Sequence, residues 1–374
     1  VGKSLKVLWK RSFEKNKLPK HIIPTILVAP LDWGLGHATR CIPLIDKLLQ
    51  HDITVVLATD GRAYTLLQQQ YPTLTLLKLP AYNIRYRSSN MTLAMASQFP
   101  KIVYAIVAEH IALKKIIRQH GIRTVISDNR YGLFHRKVHN VFLTHQLNLI
   151  IPNPLLQTLV RKGLNRWIRL FFDSCWIPDV AEEPSLSGIL SHPALLPSVA
   201  YIGSLSRMQR YEVEKEYDVI AVLSGPEPQR TFLENEIIAQ AKNLTTSFLI
   251  VGGKPEMKEV KQFSHNVQYV SFLDTVSLNR AMLAANVVIS RSGYSTIMDL
   301  AKLKKKAILI PTPGQTEQEY LAHHFMEKNI FLSQPQDKLN LASALDKLDH
   351  YTGFLNDSFG NHRLEELIVG LLEK

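Results

Sequence analysis

The chain has 374 residues, 46% hydrophobic and 20% charged, with 44 basic against 32 acidic side chains and a formal net charge of +12. Such a length exceeds one hydrophobic core and predicts two domains, and the composition excludes a disordered or fibrous chain. Two cysteines, Cys41 and Cys175, exclude a disulfide framework or thiolate metal cluster, and the excess positive charge favours phosphates or anionic surfaces.

In chain order, residues 1–23 form a basic extension that lacks the apolar stretch of a secretory signal. Apolar β-type runs then alternate with helical patterns: TILVAP, ITVVLAT, TLTLLKLP, RTVISD and NVFLTH. This alternation predicts a parallel sheet covered on both faces, an α/β fold with Rossmann-like domains. A long helical pattern covers 91–119, with Pro100 expected to divide or kink it. Residues 155–179 interleave Leu159, Leu164, Trp167 and Phe171 with Arg161, Lys162, Arg166 and Arg169. That stretch reads as a basic amphipathic helix, which either covers the core with its basic side in water or lies on a membrane surface. A first domain is assigned to 24–205 and a polar linker to 206–217. The strand–helix theme resumes with DVIAVLSG, SFLIVGG, VQYVSF, NVVISR, KAILIPTP and NIFLS, giving a second domain over 218–350. Residues 351–374 end in a helix that needs an apolar partner. No run reaches the ~18–20 apolar residues that cross a bilayer, so a cytoplasmic protein is expected.

Four segments carry chemistry, each at the carboxyl end of a predicted strand, where open α/β sheets bind ligands. The first, PLDWGLGHATRCIPL, sets Asp32, Gly34, Gly36 and His37 between a strand and a helix predicted to start near Ala38. Its spacing is neither GxGxxG nor a P-loop. An imidazole at that helix entrance can serve as a general base, the bland alternative being a tight turn. The second, SRSGYSTIMDL, offers Arg291, Ser292 and Gly293 to a diphosphate and Asp299 to a ribose diol. The third, IPTPGQTEQEYLAHHF, places Gln318 and Glu319 where they can meet sugar hydroxyls, with His323 and His324 read as helix surface. The fourth, VLSGPEPQR, presents Ser224, Gly225 and Arg230 as a further anion-friendly loop.

These residues together resemble the inverting glycosyltransferases of family 28, which include the lipid II-forming N-acetylglucosaminyltransferase and galactolipid synthases. The resemblance is strongest over 286–325 and moderate over 26–45. It implies the GT-B arrangement, two Rossmann-like domains with parallel sheets facing across a cleft, and a last helix that crosses back to the first domain. It implies a UDP-sugar donor held by Ser292, Gly293, Asp299, Gln318 and Glu319, with weaker correspondence at Ser224 and Gly225. Asp299 stands where many relatives carry Glu, and Asp32-Trp33 departs from the family loop. The implied acceptor is lipid-linked or a cell-envelope glycan of bacteria, as in glycolipid or lipopolysaccharide synthesis.

The transfer expected is a single displacement with inversion. His37 is the first candidate for its base and Asp128, in VISDNRYG, the second. Gly34, Gly36, Asp32, Arg130 and His145 are assigned to the acceptor side. No DxD-type motif lies in a suitable loop, so neither metal nor other cofactor is expected. Basic residues are scattered apart from KLKKKA at 302–307, which argues against nucleic acid as a partner. The basic 155–179 stretch and the lipid-linked acceptor suggest peripheral association with the inner face of the cytoplasmic membrane. The alternatives are a UDP-sugar 2-epimerase-like enzyme and a non-catalytic sugar-nucleotide-binding partner protein.

Overall fold

The structure, a computed structural model, describes residues 24–82, 91–194, 196–355, 359–360 and 362–372; the predicted extension 1–23 lies outside them. The first lobe holds β1 (Thr25–Pro30), α1 (Leu35–Gln50), β2 (Thr54–Thr59), α2 (Gly61–Gln70), β3 (Thr75–Lys78), α3 (Met91–His120), β4 (Ile122–Asp128), β5 (His139–Leu143), α4 (Pro154–Phe171), β6 (Ser174–Ile177) and β7 (Val199–Tyr201). Its strands pair in the order β3-β2-β1-β4-β5-β6-β7, all parallel. The second lobe holds β8 (Tyr217–Val222), α5 (Gln229–Ala241), β9 (Phe248–Val251), β10 (Val260–Ser264), β11 (Val267–Val270), α6 (Thr275–Ala284), β12 (Ala285–Ser290), α7 (Tyr294–Leu303), β13 (Lys306–Leu309), α8 (Thr316–Glu327), β14 (Leu332–Ser333) and α9 (Leu341–Asp346). Its order is β10-β11-β9-β8-β12-β13-β14, parallel except for the β10–β11 hairpin.

The middle residues of the central strands are apolar because both faces are covered by helices. Ile26, Leu27, Val28 and Ala29 of β1 and Ile289 of β12 are fully buried. Three elements differ from the sequence reading. α3 runs through Pro100 as one helix of 30 residues, since a proline removes a single ladder bond and its neighbours can carry the turn. The 155–179 stretch is not one helix: α4 stops at Phe171, and β6 follows with Cys175, Trp176 and Ile177 buried in the sheet. β10 is a polar, exposed edge strand without the apolar alternation that marks the others.

Asp60 and Glu109 hold the first lobe's Arg130, whose side chain is fully buried. Arg130 Nη1 donates to Glu109 (2.7 Å) and Nε to the Pro30 carbonyl (2.9 Å), tying α3 to the ends of β1 and β4. Glu109 also accepts from Tyr82 (2.8 Å) and the Gly132 amide (3.1 Å).

The lobes meet along α1 and α7. One apolar cluster runs through both, including Leu44 and Ile45 of α1 and Tyr294, Ile297 and Met298 of α7. Ser295 Oγ donates to the Gly36 carbonyl (2.9 Å), and a Cβ on Gly36 would lie 2.9 Å from that hydroxyl. Residues 206–217 contain no helix or strand before Tyr217 and are strapped to α6: Gln209 exchanges two bonds of 2.9 Å with Asn279, and Arg207 donates to Thr275 (2.8 Å). A last helix, α10 (His362–Leu372), buries Leu364, Ile368 and Leu371. Its Glu365 accepts from Lys47 (2.6 Å) and His51 (2.5 Å) at the end of α1, so it returns to the first lobe.

Removing the Glu109 carboxylate leaves Arg130 buried with half its charge partners gone. Glu109→Ala is expected to lower unfolding stability by about 3–5 kcal/mol in denaturant titration. At Gly36, alanine should gain about 1 kcal/mol of helix preference, and the contact with Ser295 cancels that gain. Gly36→Ala is therefore expected to stabilise a Ser295→Ala background and not the native one, a coupling of roughly 1 kcal/mol in a double-mutant cycle.

Candidate active site

Every helix that follows a parallel strand begins at the carboxyl edge of its sheet, and the two edges are joined where α1 meets α7. Three of these helices have side-chain caps: Asn153 on α4, Asp274 on α6 and Asn340 on α9. Asp32 accepts from the amides of Arg62 (3.2 Å) and Ala63 (3.1 Å), so it caps α2. The N-cap residues of α1, α5, α7 and α8 make no side-chain cap bond. At α5 the Thr231 amide donates to the Glu227 carboxylate (3.3 Å), whereas the positive dipole ends of α1, α7 and α8 are open to a ligand. At α1 the cap residue Gly34 sits at φ +89°, which glycine alone adopts without strain. The helix consequently starts at Leu35, three residues earlier than the sequence reading, with His37 in its first turn.

His37, Asp128 and His145 are brought together by a residue the sequence reading did not single out, Arg40. The Asp128 carboxylate lies at the end of β4, fully buried behind His37. His37 Nδ1 is 3.1 Å from Asp128 Oδ1, and Arg40 Nε donates to Asp128 Oδ2 (2.9 Å). Arg40 Nη2 contacts both Asp128 Oδ1 and His37 Nδ1. Burial pushes the Asp128 carboxyl up, but the Arg40 guanidinium and His37 overcome it and hold the group well below the usual carboxylate range. Arg40 Nη1 donates to His145 Nδ1 (2.8 Å), because a guanidinium only donates. The proton of neutral His145 is therefore on Nε2, which reaches Glu317 of the second lobe (3.1 Å). Gln146 also bonds Glu317, and the His145 ring stacks on Tyr294 at 4.1 Å between centroids. Burial lowers the pKa of His145, opposed by Glu317. Tyr294 donates across the lobes to the Pro178 carbonyl (2.7 Å).

The second-lobe rim holds buried polar atoms with no partner. Arg291 is almost fully buried, and Nη1 and Nη2 donate to the carbonyls of Ile310, Pro311 and Gln229 and to Gln336. Its Nε, like the hydroxyls of Thr312 and Ser290, is bonded to nothing. Burial pushes the guanidinium down to about 10. Directly in front lies Gly225, φ +105°, where a Cβ would sit 3.5 Å from Thr312 Oγ1 and 3.8 Å from Arg291 Nε. Ser224 and Gly225 are exposed on this loop. Ser292 donates to the Gln318 carbonyl (2.7 Å), and Gln318 Oε1 accepts from the Thr312 amide (2.8 Å). Glu319 accepts from the Gly314 amide (2.8 Å). Gly293 caps α7 beside the Gln318 side-chain nitrogen. Asp299 accepts from Ser206 (2.6 Å) in the linker, and burial pushes its carboxyl up to about 6 against the influence of Arg207.

Besides Asp299, held by Ser206, three predicted residues have side chains engaged elsewhere. Arg130 is committed to Glu109 and Asp60, and Asp32 to the start of α2. Arg230 donates to the Gly252 carbonyl (2.7 Å) and pairs with Glu227. His324 is half-buried against Tyr320 and Phe325 and so is not helix surface, whereas His323 is exposed. Among the described residues no group of three or more His, Cys, Asp or Glu could hold a metal ion.

Comparison with known proteins now bears on this arrangement. Residues 219–356 match the glycosyltransferase family 28 C-terminal domain. An uncharacterized glycosyltransferase of Methanopyrus kandleri is 19% identical over 91% of this chain and 100% of its own. The UDP-N-acetylglucosamine–N-acetylmuramyl-(pentapeptide) pyrophosphoryl-undecaprenol N-acetylglucosamine transferase of Methylobacterium nodulans is 26% identical over 80% of each chain. Among solved structures, spinosyn rhamnosyltransferase SpnG superposes with a TM-score of 0.60 at 12% identity, covering 93% of this chain and 96% of its own. The solved structures show the GT-B fold, and the second lobe matches the family 28 C-terminal domain over 219–356.

Proposed function

We propose that the protein transfers a hexosyl or N-acetylhexosaminyl group from a UDP-sugar to a lipid-linked or cell-envelope glycan acceptor. The observation that carries the donor half is the set of unpartnered polar groups behind Gly225, the Arg291 Nε and Thr312 hydroxyl, flanked by the uncapped starts of α7 and α8. A diphosphate offers the acceptor oxygens these donors lack, and it carries the charge that the helix ends favour. The reading needs no metal, because amides and Arg291 supply the positive density. Asp299 is assigned to the ribose, Gln318 and Glu319 to the sugar.

On the other side of the cleft, His37 is assigned as the base. His37 Nδ1 lies between Arg40 Nη2 (2.9 Å) and Asp128 Oδ1 (3.1 Å). The base assignment takes the tautomer in which Nδ1 donates to the carboxylate, while Nη2 donates to Asp128 and not to the ring. That tautomer leaves a lone pair on Nε2. An acceptor hydroxyl then attacks the anomeric carbon from the face opposite the UDP. The new C–O bond forms as the bond to the diphosphate oxygen breaks, His37 Nε2 takes the hydroxyl proton, and UDP leaves with the electron pair. Asp128, buried and bonded to Arg40, orients His37 and offsets its positive charge as it forms. The preference for a lipid-linked acceptor draws on the Methylobacterium relative, whose acceptor is a pyrophosphoryl-undecaprenol.

The peripheral-membrane reading draws on α4. Leu155, Leu159 and Leu170 are 79%, 67% and 60% exposed, beside Arg161, Lys162, Arg166 and Arg169. Ile168 is the one residue of α4 that is fully buried. Among the described residues no helix is long and apolar enough to cross a membrane, so association would be at the surface.

Calorimetry with UDP and UDP-N-acetylglucosamine is expected to show binding; no detectable affinity at millimolar concentration would remove the donor assignment. His37→Ala is expected to cut turnover by about 10²–10⁴-fold while donor affinity stays within about twofold. Unchanged turnover would remove His37 as base. Co-sedimentation with vesicles containing phosphatidylglycerol should fall when Leu155 and Leu159 are both changed to Ser, and no difference would remove α4 from the contact.

A further inference from the structure

Two lysines meet at the edge of the second sheet opposite the cleft, where its parallel strands begin. Lys215 lies two residues before β8, at the end of the linker, and Lys305 directly precedes β13. Both reach the junction of α6 and β12. Lys215 Nζ donates to the carbonyls of Leu283 (2.8 Å) and Ala285 (3.0 Å). Lys305 Nζ donates to the same two carbonyls, at 2.9 Å and 2.5 Å. The carbonyl between them, that of Ala284, accepts from the Glu216 amide (2.9 Å).

The end of a helix favours a cation, because its last carbonyls point outward with partial negative charge. α6 offers one such place, and two amines occupy it. Two like charges this close disfavour each other, and no carboxylate among the described residues pairs with either lysine. Glu216, the acidic side chain next to Lys215, is bonded to Arg280. The two lysines differ in exposure: Lys215 is exposed, whereas Lys305 is 6% exposed. Water stabilises the charge on Lys215, so Lys305 is the one that gives up its proton. Burial, then Lys215, lower the Lys305 pKa, with no acidic group opposing them. A neutral amine has two protons for the two carbonyls and keeps its lone pair. A nucleophile thus stands beside a solvent-facing cation.

We propose that Lys305 is a modification site, whose amine takes an acyl group from an acyl phosphate while Lys215 holds the phosphate. That chemistry needs a nucleophile and a cation side by side. Lys305 Nζ attacks the acyl carbon, and the new N–C bond forms. The bond from that carbon to the bridging oxygen breaks. Inorganic phosphate leaves with the electron pair and takes the surplus proton of the amine. The product amide is neutral. It keeps one N–H for a carbonyl and offers its oxygen to the Lys215 ammonium, which still serves the other carbonyl. Acylation therefore ends the competition of two charges for one helix end. The site is separate from the cleft, so it does not rest on the glycosyl-transfer reading.

The test treats the full chain with acetyl phosphate at neutral pH and maps chymotryptic peptides by mass spectrometry. Lys302, exposed on the same stretch, is the internal reference. Lys305 is expected to be acetylated at least about tenfold faster than Lys302, although burial alone would make it slower. A lowered pKa frees the lone pair at neutral pH, so this ratio should shrink as pH rises toward the ordinary lysine range. Lys215→Met removes both the neighbouring charge and the phosphate contact, and should slow Lys305 by about tenfold or more. Lys215→Arg keeps the positive charge and should restore most of the rate. Far-UV circular dichroism reports folding of each variant, independently of UDP binding. Acetylation of Lys305 no faster than that of Lys302, a ratio that does not change with pH, or a rate unaltered in folded Lys215→Met overturns the proposal.

Discussion

The buried pair of Asp128 and Arg40 organises the cleft. An ionised carboxylate with no solvent exposure survives only because a guanidinium bonds both its oxygens. That pair joins β4 to α1 and sets His37, one helical turn before Arg40, at the open face of the carboxylate. The same guanidinium fixes the tautomer of His145, which in turn reaches Glu317 on the second lobe. One arginine thus links His37, the proposed base, to His145 and, through it, to the second lobe. Removing either charge would leave the other buried without a partner, which makes the pair a constraint on the whole site.

The second constraint is backbone polarity. The uncapped starts of α1, α7 and α8 leave amides open where the two lobes meet. Asp32 shows the contrast, since its carboxylate satisfies the start of α2. Arg291 completes the picture from the other lobe, since it is held rigid by three carbonyls while its Nε stays free. Such a donor is preorganised and loses little on binding.

Much of this was legible in the chain. Near-continuous apolar strands alternating with helical periods point to two α/β lobes, and Gly34 and Gly36 mark the strand-to-helix turn, where Gly34 takes positive φ. Misreadings came where local pattern competes with tertiary context. SCWI follows a basic amphipathic run without a Gly or Pro break, so β6 was absorbed into the preceding helix. Pro100 signalled a boundary that the long α3 does not have. The site was legible in its loops and less so in its supports. Arg40 could have been found, since GHATR puts it one turn from His37 on the same helix face. Glu317 and Tyr294 could not, because their role depends on contacts between lobes that no spacing in the chain encodes. Arg130 and Arg230 are bonded by internal carboxylates, Glu109 with Asp60 and Glu227, which no spacing in the chain encodes.

The central claim is that Asp128 acts on the reaction through His37 and not as a base of its own. Once a donor and acceptor pair supports turnover, the direct measurement is kcat for Asp128→Asn, His37→Ala and the double variant. Residues that work as one unit are not additive. The account predicts that the double variant is no slower than His37→Ala alone. Multiplication of the two single effects in the double variant would contradict it.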